Sequence, residues 1–327
     1  MLEIELTADE AIEIRRLCRS LGREYGSSDE EALLRDLGRF PEEMPGRVVE
    51  AIASYMEDPE ADFALVSRHM IRDHDLGNTP IAQKDPITTK TSLEYEMVVM
   101  LYGSILGSVF GWATQQEGHL VNDIIPMETF ADQQVGASSK VELAWHTEDA
   151  YHPGRADFIC LFCLRNPTGA PTTVASIVDI QSHRDLPASL FEPCVRIAAD
   201  DAQAAGAEAA GIEDWTESAV KPTPILSQNG TGLQMCVDPA YMSVASEDED
   251  VYEAVTGFCQ TIDEHLREVV LKPGDLLILN NHRAVHGRRP FKPTYSGRDR
   301  WLKRVNVARD FEARRPYCTD LGRRLLA

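Results

Sequence analysis

A histidine and a glutamate two residues apart end an alternating segment, Val141-Glu-Leu-Ala-Trp-His-Thr-Glu148. Successive side chains of a β-strand point to opposite faces, so His146 and Glu148 share one face while the apolar positions share the other. An imidazole nitrogen and a carboxylate oxygen placed side by side can bind one metal ion. The pattern taken alone is equally typical of a surface histidine beside a glutamate.

A third metal ligand could come from a later segment, in which an apolar strand over residues 276–279 is followed by a polar run ending at Arg288. This run contains His282 and His286, and spacing alone leaves both open as ligands. A rigid buried strand can aim the side chains at its end into a shared cavity. Two histidines and one carboxylate leave other positions on the metal open, which is the arrangement of non-haem Fe(II) oxygenases.

Two arginines are predicted on one strand face, where their charges require anionic partners. The period of two places Arg300, Leu302 and Arg304 on the same side of a predicted strand over residues 299–308. In a structural protein these guanidinium groups would pair with buried carboxylates. In a 2-oxoglutarate enzyme one of them would bind the distal carboxylate of the cosubstrate in a bidentate manner.

These side chains need a sheet to hold them, and a chain of 327 residues can bury one large core. Apolar runs bounded by Pro, Gly, Asn or Asp predict strands over residues 141–147, 157–165, 172–180, 275–281 and 299–308. Helical spacing predicts a helix after a capping box at Thr7 and Glu10, and two more over residues 93–108 and 252–270. We interpret residues 1–327 as one domain with an N-terminal helical part over residues 1–75.

One segment does not fit this regular pattern. Residues 200–220 are acidic, rich in Ala and Gly, and aperiodic. This composition favours a mobile insertion near residues 200–222 that acts as a lid over a site, and a plain solvated loop is equally compatible with it.

Composition and charge exclude several classes of protein. With 32 Lys and Arg against 53 Asp and Glu, the net charge of −21 argues against a nucleic-acid partner. The apolar stretch 97–112 is short for a membrane span and predicts a buried helix, and the N-terminus has no secretory signal. We therefore expect a cytoplasmic protein that binds neither nucleic acid nor membrane. The seven cysteines predict reduced thiols, with Cys160 and Cys163 as buried strand residues.

Separated motifs that occur in the same order resemble the clavaminate-synthase-like Fe(II)/2-oxoglutarate oxygenases. They are Gly111-Trp-Ala-Thr-Gln-Gln116, Trp145-His-Thr-Glu-Asp-Ala150, Arg155-Ala-Asp157, Leu164-Arg-Asn-Pro167, Arg283-Ala-Val-His-Gly-Arg288 and Gly297-Arg-Asp-Arg-Trp-Leu-Lys-Arg304. Within that family the chain most resembles the free-amino-acid hydroxylases of viomycin and streptothricin biosynthesis, which act on L-arginine. The likeness runs from about residue 76 to residue 310. It implies a mainly β fold with flanking helices, a double-stranded β-helix (jelly roll, cupin-like) whose core covers residues 76–310.

The resemblance also implies roles for individual residues. It makes His146, Glu148 and His286 the iron ligands, preferring His286 because the family histidine stands in a Val-His-Gly-Arg context. It assigns Arg300 and Thr172 to 2-oxoglutarate. For the amino-acid substrate it implies four contacts, with Arg304 at the α-carboxylate: Gln116, Glu148, Asp238 and Arg304.

The chain departs from the motifs of the arginine hydroxylases at one position that concerns the substrate. The arginine hydroxylases carry Asp-Gly-Asp where this chain has Asp238-Pro-Ala240, which resembles the enduracididine hydroxylase of mannopeptimycin biosynthesis. The implied reaction uses Fe(II), 2-oxoglutarate and O2 to hydroxylate a free basic amino acid, and it releases succinate and CO2. The implied position is C3 of L-arginine or of a guanidine-bearing analogue. Enduracididine, citrulline or lysine as substrate, and desaturation as outcome, stay open.

Two hypotheses from other classes use the same residues. A zinc hydrolase could hold its metal with the two histidines and the glutamate and activate a bound water. It leaves Arg300 unexplained. A non-catalytic jelly-roll binding module would contain the histidines only as hydrogen-bonded polar residues.

Overall fold

Two facing β-sheets with helices on their outer sides form the architecture of the chain. The computed structural model describes residues 1–83, 86–183, 185–210, 221–230 and 232–327. Helices in these ranges are α1 (Ala8–Tyr25), α2 (Glu31–Asp36), α3 (Gly46–Glu57), α4 (Pro86–Leu106), α5 (Ile177–His183), α6 (Asp201–Ala210) and α7 (Glu249–His265). A core of apolar side chains from both sheets fills the space between them.

The larger sheet has the strand order β1-β2-β13-β6-β15-β3-β17-β16, with β4 pairing beside β15. Its pairs are antiparallel except β1 with β2 and β3 with β17. The strands are β1 (Leu2–Glu5), β2 (Phe63–Ser67), β3 (Ser108–Trp112), β4 (Asn122–Ile124), β6 (Phe158–Arg165), β13 (Leu276–Asn280), β15 (Trp301–Ala308), β16 (Cys318–Asp320) and β17 (Leu325–Leu326). The central strand β6 is buried along its whole length because helices cover one face and the smaller sheet covers the other.

The smaller sheet has the antiparallel order β12-β7-β14-β5. Its strands are β5 (Leu143–His146), β7 (Thr172–Ser176), β12 (Arg267–Val269) and β14 (Ala284–Arg288). Its outer face packs on α7 with Trp145, Ala175 and Val285. Two short antiparallel two-stranded sheets complete the described strands, β8 (Val195–Ile197) with β11 (Met242–Val244) and β9 (Leu226–Asn229) with β10 (Gly232–Met235).

The N-terminal helix follows the sequence prediction closely. Thr7 Oγ1 accepts a hydrogen bond from the Glu10 amide, and the Glu10 carboxylate accepts one from the Thr7 amide at 2.8 Å, which is the predicted capping box. All of the apolar positions in the predicted stripe are buried: Ala11, Ile14, Leu17, Cys18 and Leu21. The helix ends at Gly26, whose φ of +72° is the left-handed conformation that favours glycine.

The predicted helix over residues 93–108 extends too far at its C-terminal end. The helix stops at Leu106, and Ser108–Trp112 is strand β3. Gly107 makes this change possible because its φ is +153° and a Cβ atom would lie 2.3 Å from the Ala308 carbonyl oxygen. The apolar stretch therefore serves two elements, of which only the first is helical.

Two other element boundaries also differ from prediction. The predicted strand over 172–180 ends at Ser176 and continues as α5, and the predicted helix over 252–270 ends at His265 and continues as β12. In the second case Arg267–Val269 leaves the helix and pairs with β7, so the end of the predicted apolar stripe lies in a strand. Tertiary pairing, which the local pattern does not contain, decides both ends.

Residues 1–75 are not purely helical. Strands β1 and β2 from this part join the larger sheet, β2 against β13, and α1, α3 and α4 cover the outer face. Strands β16 and β17, beyond residue 310, extend the same sheet at its other side. The sheet thus recruits strands from outside the predicted 76–310 core.

Cys160 and Cys163 are buried strand residues, as predicted, and both thiols are free. They contribute to cores on opposite faces of β6, which rules out a shared metal between them. Among the helices in the described ranges, none is long and apolar enough to cross a membrane.

A buried ion-pair cluster joins α4, β4 and β15. The Lys303 ammonium lies 2.9 Å from Glu96 Oε1 and 2.7 Å from Asp123 Oδ1, with no exposed surface on the lysine. Trp301 Nε1 donates to Asp123 Oδ1 at 2.6 Å. Burial disfavours the lysine charge, but the two carboxylates outweigh it and raise the pKa of Lys303.

We expect Lys303→Met to reduce the free energy of unfolding by about 3–5 kcal/mol, because it leaves two carboxylates buried without a counter-charge. Urea denaturation followed by circular dichroism measures this change. Lys140→Met is the matched control, since Lys140 pairs with Asp132 at 3.0 Å on an exposed surface. That variant should lose less than about 1 kcal/mol. Equal losses in the two variants would contradict the assigned role of the cluster.

Candidate active site

The three predicted metal ligands converge in the cavity between the sheets. His146 ends β5, Glu148 follows two residues later, and His286 lies in the middle of β14. The antiparallel pairing of β5 with β14 puts His286 directly opposite His146. Glu148 Oε2 lies 3.2 Å from His286 Nε2 and 3.6 Å from His146 Nε2. Strand register therefore brings together residues that are far apart in the chain.

This arrangement fits a metal ion. One ligand atom from each residue lies within 4.8 Å of the other two. Adjacent ligands of an octahedral ion at ~2.1 Å are separated by about 3 Å, close to these distances. Glu148 Oε2 is buried without a well-formed hydrogen bond to any described residue. A carboxylate oxygen left in this way between two imidazole nitrogens is suited to a cation.

A backbone contact sets the tautomer of His146. Its Nδ1 lies 2.9 Å from the Ala144 carbonyl oxygen. Because a carbonyl only accepts, Nδ1 carries a proton, and Nε2 is the nitrogen that is left to bind a metal.

We call His146, Glu148 and His286 the metal triad. The surroundings of these three residues shift their pKa values in opposite directions. Burial disfavours the Glu148 carboxylate, but Arg304 and the two histidines outweigh burial and lower its pKa well below the usual range. Burial also opposes the charged form of His146, but Glu148 and Asp238 raise its pKa to about 9. The pKa of His286 is lowered, chiefly by burial. Metal binding would therefore displace a proton from His146 near neutral pH.

The structure distinguishes between His282 and His286, which the spacing in the sequence left open as metal ligands. His282 Nε2 lies 2.8 Å from Asp157 Oδ1, and its Nδ1 lies 2.9 Å from Arg155 Nη2. Burial and the neighbouring Arg155 lower its pKa to about 4, against the effect of Asp157. His282 belongs to a polar network behind the triad, whereas His286 faces the cavity.

Asn281 holds the backbone of Glu148, a predicted metal ligand, and the sequence did not indicate this role. Its Oδ1 accepts from the Glu148 amide at 2.7 Å, and its Nδ2 donates to the Glu148 carbonyl at 3.0 Å and to the Ala156 carbonyl at 2.9 Å. Arg155 Nη1 donates to the Asn281 carbonyl at 2.7 Å. The residue after β13 is thereby tied to the segment that follows β5.

A guanidinium group without an acidic partner occupies one end of the cavity. Arg300 is 5% exposed, and its Nη2 donates to Thr172 Oγ1 at 3.5 Å. Both residues line the cavity together with the metal triad. In the described part of the chain no carboxylate pairs with Arg300, and burial lowers its pKa to about 10. This buried charge is available to an anionic ligand.

Arg304 lies on the same strand face and reaches the triad. Its Nη1 donates to Glu148 Oε1. Its Nη2 donates to Gln115 Oε1 at 2.7 Å and Asn122 Oδ1 at 3.3 Å. The neighbouring Gln116 points elsewhere: its amide exchanges hydrogen bonds with the Asp123 backbone, at 3.0 Å to the carbonyl and 2.9 Å from the amide.

Acidic side chains surround another part of the cavity. Asp238, which was predicted as a substrate contact, lines it, and Asp149 and Asp200 line it without having been predicted as site residues. Burial is the main cause that raises all three pKa values, to about 7 for Asp149 and about 6 for Asp200. Asp149 directly follows a metal ligand, and that position is the one signal by which the sequence could have indicated it.

Helix α6 packs against the site. The side chain of Gln203 is fully buried and donates from Nε2 to Asp149 Oδ1 at 2.9 Å, while its Oε1 accepts from Thr114. Gly206 lies so close to the Thr114 carbonyl that a Cβ atom would be 1.7 Å from the oxygen. Residues 201–210 of the predicted aperiodic insertion are thus helical, and residues 211–220 of the predicted lid lie outside the described residues.

We expect Asn281→Ala to weaken metal binding by roughly 10- to 100-fold, because the Glu148 carboxylate loses its backbone support. Anaerobic titration with Co(II) followed by visible absorption measures the affinity. Asn166→Ala is the matched control, since Asn166 makes the same two bonds to the backbone of Ala170, at 3.0 Å each, outside the cavity. That control should bind Co(II) like the parent chain. An Asn281 variant with parental affinity would contradict the assignment.

Solved structures match the whole chain. The non-heme iron oxygenase OrfP in complex with Fe, succinate and (3S)-hydroxy-L-Arg superposes with a TM-score of 0.91 at 35% identity, covering 100% of both chains. The complex of OrfP with Fe and alpha-ketoglutaric acid gives a TM-score of 0.90 at 36% identity, covering 99% of this chain and 100% of the other.

Sequence relatives match over the same extent. An enduracididine beta-hydroxylase of Streptomyces hygroscopicus is 33% identical over 96% of each chain. An L-ornithine/L-arginine 3-hydroxylase of Catenulispora acidiphila is 32% identical over 97% of each chain. Residues 97–306 match the family described as taurine catabolism dioxygenase TauD, TfdA. This match covers more than half of the chain and includes the metal triad, so the chain belongs to the TauD/TfdA family of dioxygenases.

Proposed function

We propose that this chain is an Fe(II)- and 2-oxoglutarate-dependent hydroxylase of a free basic amino acid. The observation that carries the proposal is the convergence of His146, Glu148 and His286 in a cavity that also contains the buried guanidinium of Arg300. A zinc hydrolase would use the three ligands but leave that guanidinium without a function. We further propose that residues 1–327 form one domain, whose facing, mostly antiparallel sheets are those of a double-stranded β-helix.

The triad would hold Fe(II) through His146 Nε2, His286 Nε2 and a Glu148 carboxylate oxygen. Three protein ligands leave other positions for the cosubstrate and oxygen. When bound, Fe(II) supplies the oxygen chemistry, which is coupled to decarboxylation of 2-oxoglutarate to succinate and CO2. The chain supplies the geometry around it.

The distal carboxylate of 2-oxoglutarate would pair with Arg300. A planar guanidinium binds a carboxylate through two parallel hydrogen bonds, and Thr172 Oγ1 can donate a third. Both side chains are almost fully buried, at 5% and 2% exposure, so the ion pair would form with little competition from water.

The α-carboxylate of the amino acid would bind to Arg304. This guanidinium donates to Glu148 Oε1, Gln115 and Asn122, so it lies beside one of the proposed metal ligands. Glu148 Oε1 is also within reach as an acceptor for the α-ammonium of the same ligand. Gln116, whose amide is bonded to the Asp123 backbone, would support the substrate side of the cavity through β4.

The cationic end of the substrate would lie near Asp200 and Asp238. Both carboxyl groups line the cavity, and burial raises both pKa values, which a bound cation would reverse. This acidic environment favours arginine, enduracididine or lysine over the uncharged citrulline. The net charge of −21 adds long-range attraction for a cationic amino acid.

We propose C3 as the carbon that is hydroxylated. Arg304 at the carboxylate end and the aspartates at the other end would fix the substrate lengthwise, with its first side-chain carbons nearest the triad. The two relatives described above, a beta-hydroxylase and a 3-hydroxylase, support this position.

Anaerobic addition of 2-oxoglutarate to the Fe(II)-loaded protein should produce a visible charge-transfer band. Admitting O2 with a panel of L-arginine, enduracididine, L-lysine and L-citrulline should yield succinate and a product heavier by one oxygen atom for the basic members. The His286→Ala variant is the control and should give neither band nor product. Absence of the band in the parent chain would overturn the proposal, and a product lighter by two hydrogens would indicate desaturation.

Ala240 is expected to influence the choice among these substrates. It lines the cavity two residues after Asp238 and is exposed, so a larger side chain can be accommodated. Ala240→Asp adds a second carboxylate for an acyclic guanidinium and should raise kcat/KM for L-arginine by about 10-fold, which corresponds to one charge-assisted hydrogen bond of about 1.5 kcal/mol. Ala240→Asn, of the same size without charge, should not. An unchanged preference in the Asp variant would rule this explanation out.

A further inference from the structure

A second buried guanidinium, that of Arg288, lies at the same end of the cavity as Arg300. Arg288 is 3% exposed and lines the cavity two residues after His286. The pairing of β14 with β7 places Arg288 directly opposite Thr172, and directly opposite residues of an antiparallel pair share one face of the sheet. Thr172 Oγ1 accepts in turn from Arg300. The two cations therefore lie near each other, and the charge of Arg300 disfavours that of Arg288.

The partners of Arg288 are all uncharged. Its Nη1 donates to the Ser138 carbonyl. Its Nη2 donates to Ser138 Oγ at 3.0 Å and to the Val141 carbonyl at 3.1 Å, and its Nε donates to the Arg289 carbonyl at 3.3 Å. These bonds engage four of the five N–H donors of the guanidinium and hold it in place, but they do not neutralise it.

No counter-charge is supplied by the part of the chain that the structure describes. Neither Arg288 nor Arg300 forms an ion pair with a described carboxylate. The next residue behaves differently, because Arg289 pairs on the surface with Glu142 at 2.6 Å and Glu268 at 2.7 Å. Two uncompensated cations in a buried corner are costly unless a ligand brings negative charge.

We propose that Arg288 is a specificity-determining residue for the cosubstrate, whose charge makes the site select 2-oxo acids that carry a distal carboxylate. This inference rests on the proposed use of 2-oxoglutarate. Arg300 would bind the carboxylate directly, whereas Arg288, with its donors engaged by the backbone and Ser138, is a positioning residue that acts through its field. The effect is strong because both cations are shielded from water.

Isothermal titration calorimetry on the Mn(II)-loaded protein tests this role without turnover. The two ligands are 2-oxoglutarate and 2-oxopentanoate, which has the same length and the same oxo acid end but no distal carboxylate. Arg288→Gln should bind 2-oxoglutarate roughly 10- to 100-fold more weakly, as expected for losing a nearby charge at intermediate dielectric, and bind 2-oxopentanoate as before. Arg288→Lys should keep most of the preference for 2-oxoglutarate, and Arg289→Gln should keep all of it.

The outcomes separate this inference from the proposed function. If the parent chain does not bind 2-oxoglutarate, the proposed function fails. If the parent chain binds it and Arg288→Gln binds it equally well, only the role of Arg288 is overturned. Equal weakening of both ligands in the Gln and Lys variants would show a structural role through Ser138 and Val141 and would also overturn it. Should the Gln variant not fold, loss of selectivity in the Lys variant decides against the inference.

Discussion

The direct pairing of His146 with His286 across β5 and β14 is the constraint on which the site depends. It places two imidazoles from distant parts of the chain against one carboxylate, with Glu148 Oε2 within 3.6 Å of both Nε2 atoms. The same register continues through β14 to β7, where it brings Arg288 beside Thr172. A slip of one residue in this pairing would turn every one of these side chains to the other face of the sheet.

Groups of opposite charge lie in different parts of the cavity. At one end the guanidinium groups of Arg288 and Arg300 have no acidic partner among the described residues, and at another the carboxyl groups of Asp200 and Asp238 are buried with raised pKa values. Between them Arg304 donates to Glu148, so these two described lining residues join the two signs. Each uncompensated end is suited to one ligand charge, which supports the proposed binding of an anionic cosubstrate and a cationic substrate in the same cavity.

Polar groups behind the cavity keep these charges in position. Asn281 bonds the Glu148 backbone on both its amide and its carbonyl, and Arg155 holds Asn281 in turn. On the other side of the larger sheet, Lys303 balances Glu96 and Asp123 without contact with water. Helix α6 adds a third support, because Gln203 connects it to Asp149 beside the metal ligand. The site is therefore built on buried polar contacts that leave little freedom to the groups it presents.

The amino-acid sequence by itself determined the local elements and the chemical types of the site: the capping box at Thr7, the buried strand of β13 and the His-x-Glu pair were all readable from patterns of period 3.6 or 2. Tertiary structure alone decided what those patterns leave open. It directed His282 to Asp157 and His286 to Glu148, ended α4 at the close contact of Gly107, brought Asp200 to the cavity and tied Asn281 to the Glu148 backbone behind it. The reason is physical: local patterns report which face of an element a residue occupies, whereas register and chain crossing, set by pairing between distant strands, decide which residues meet.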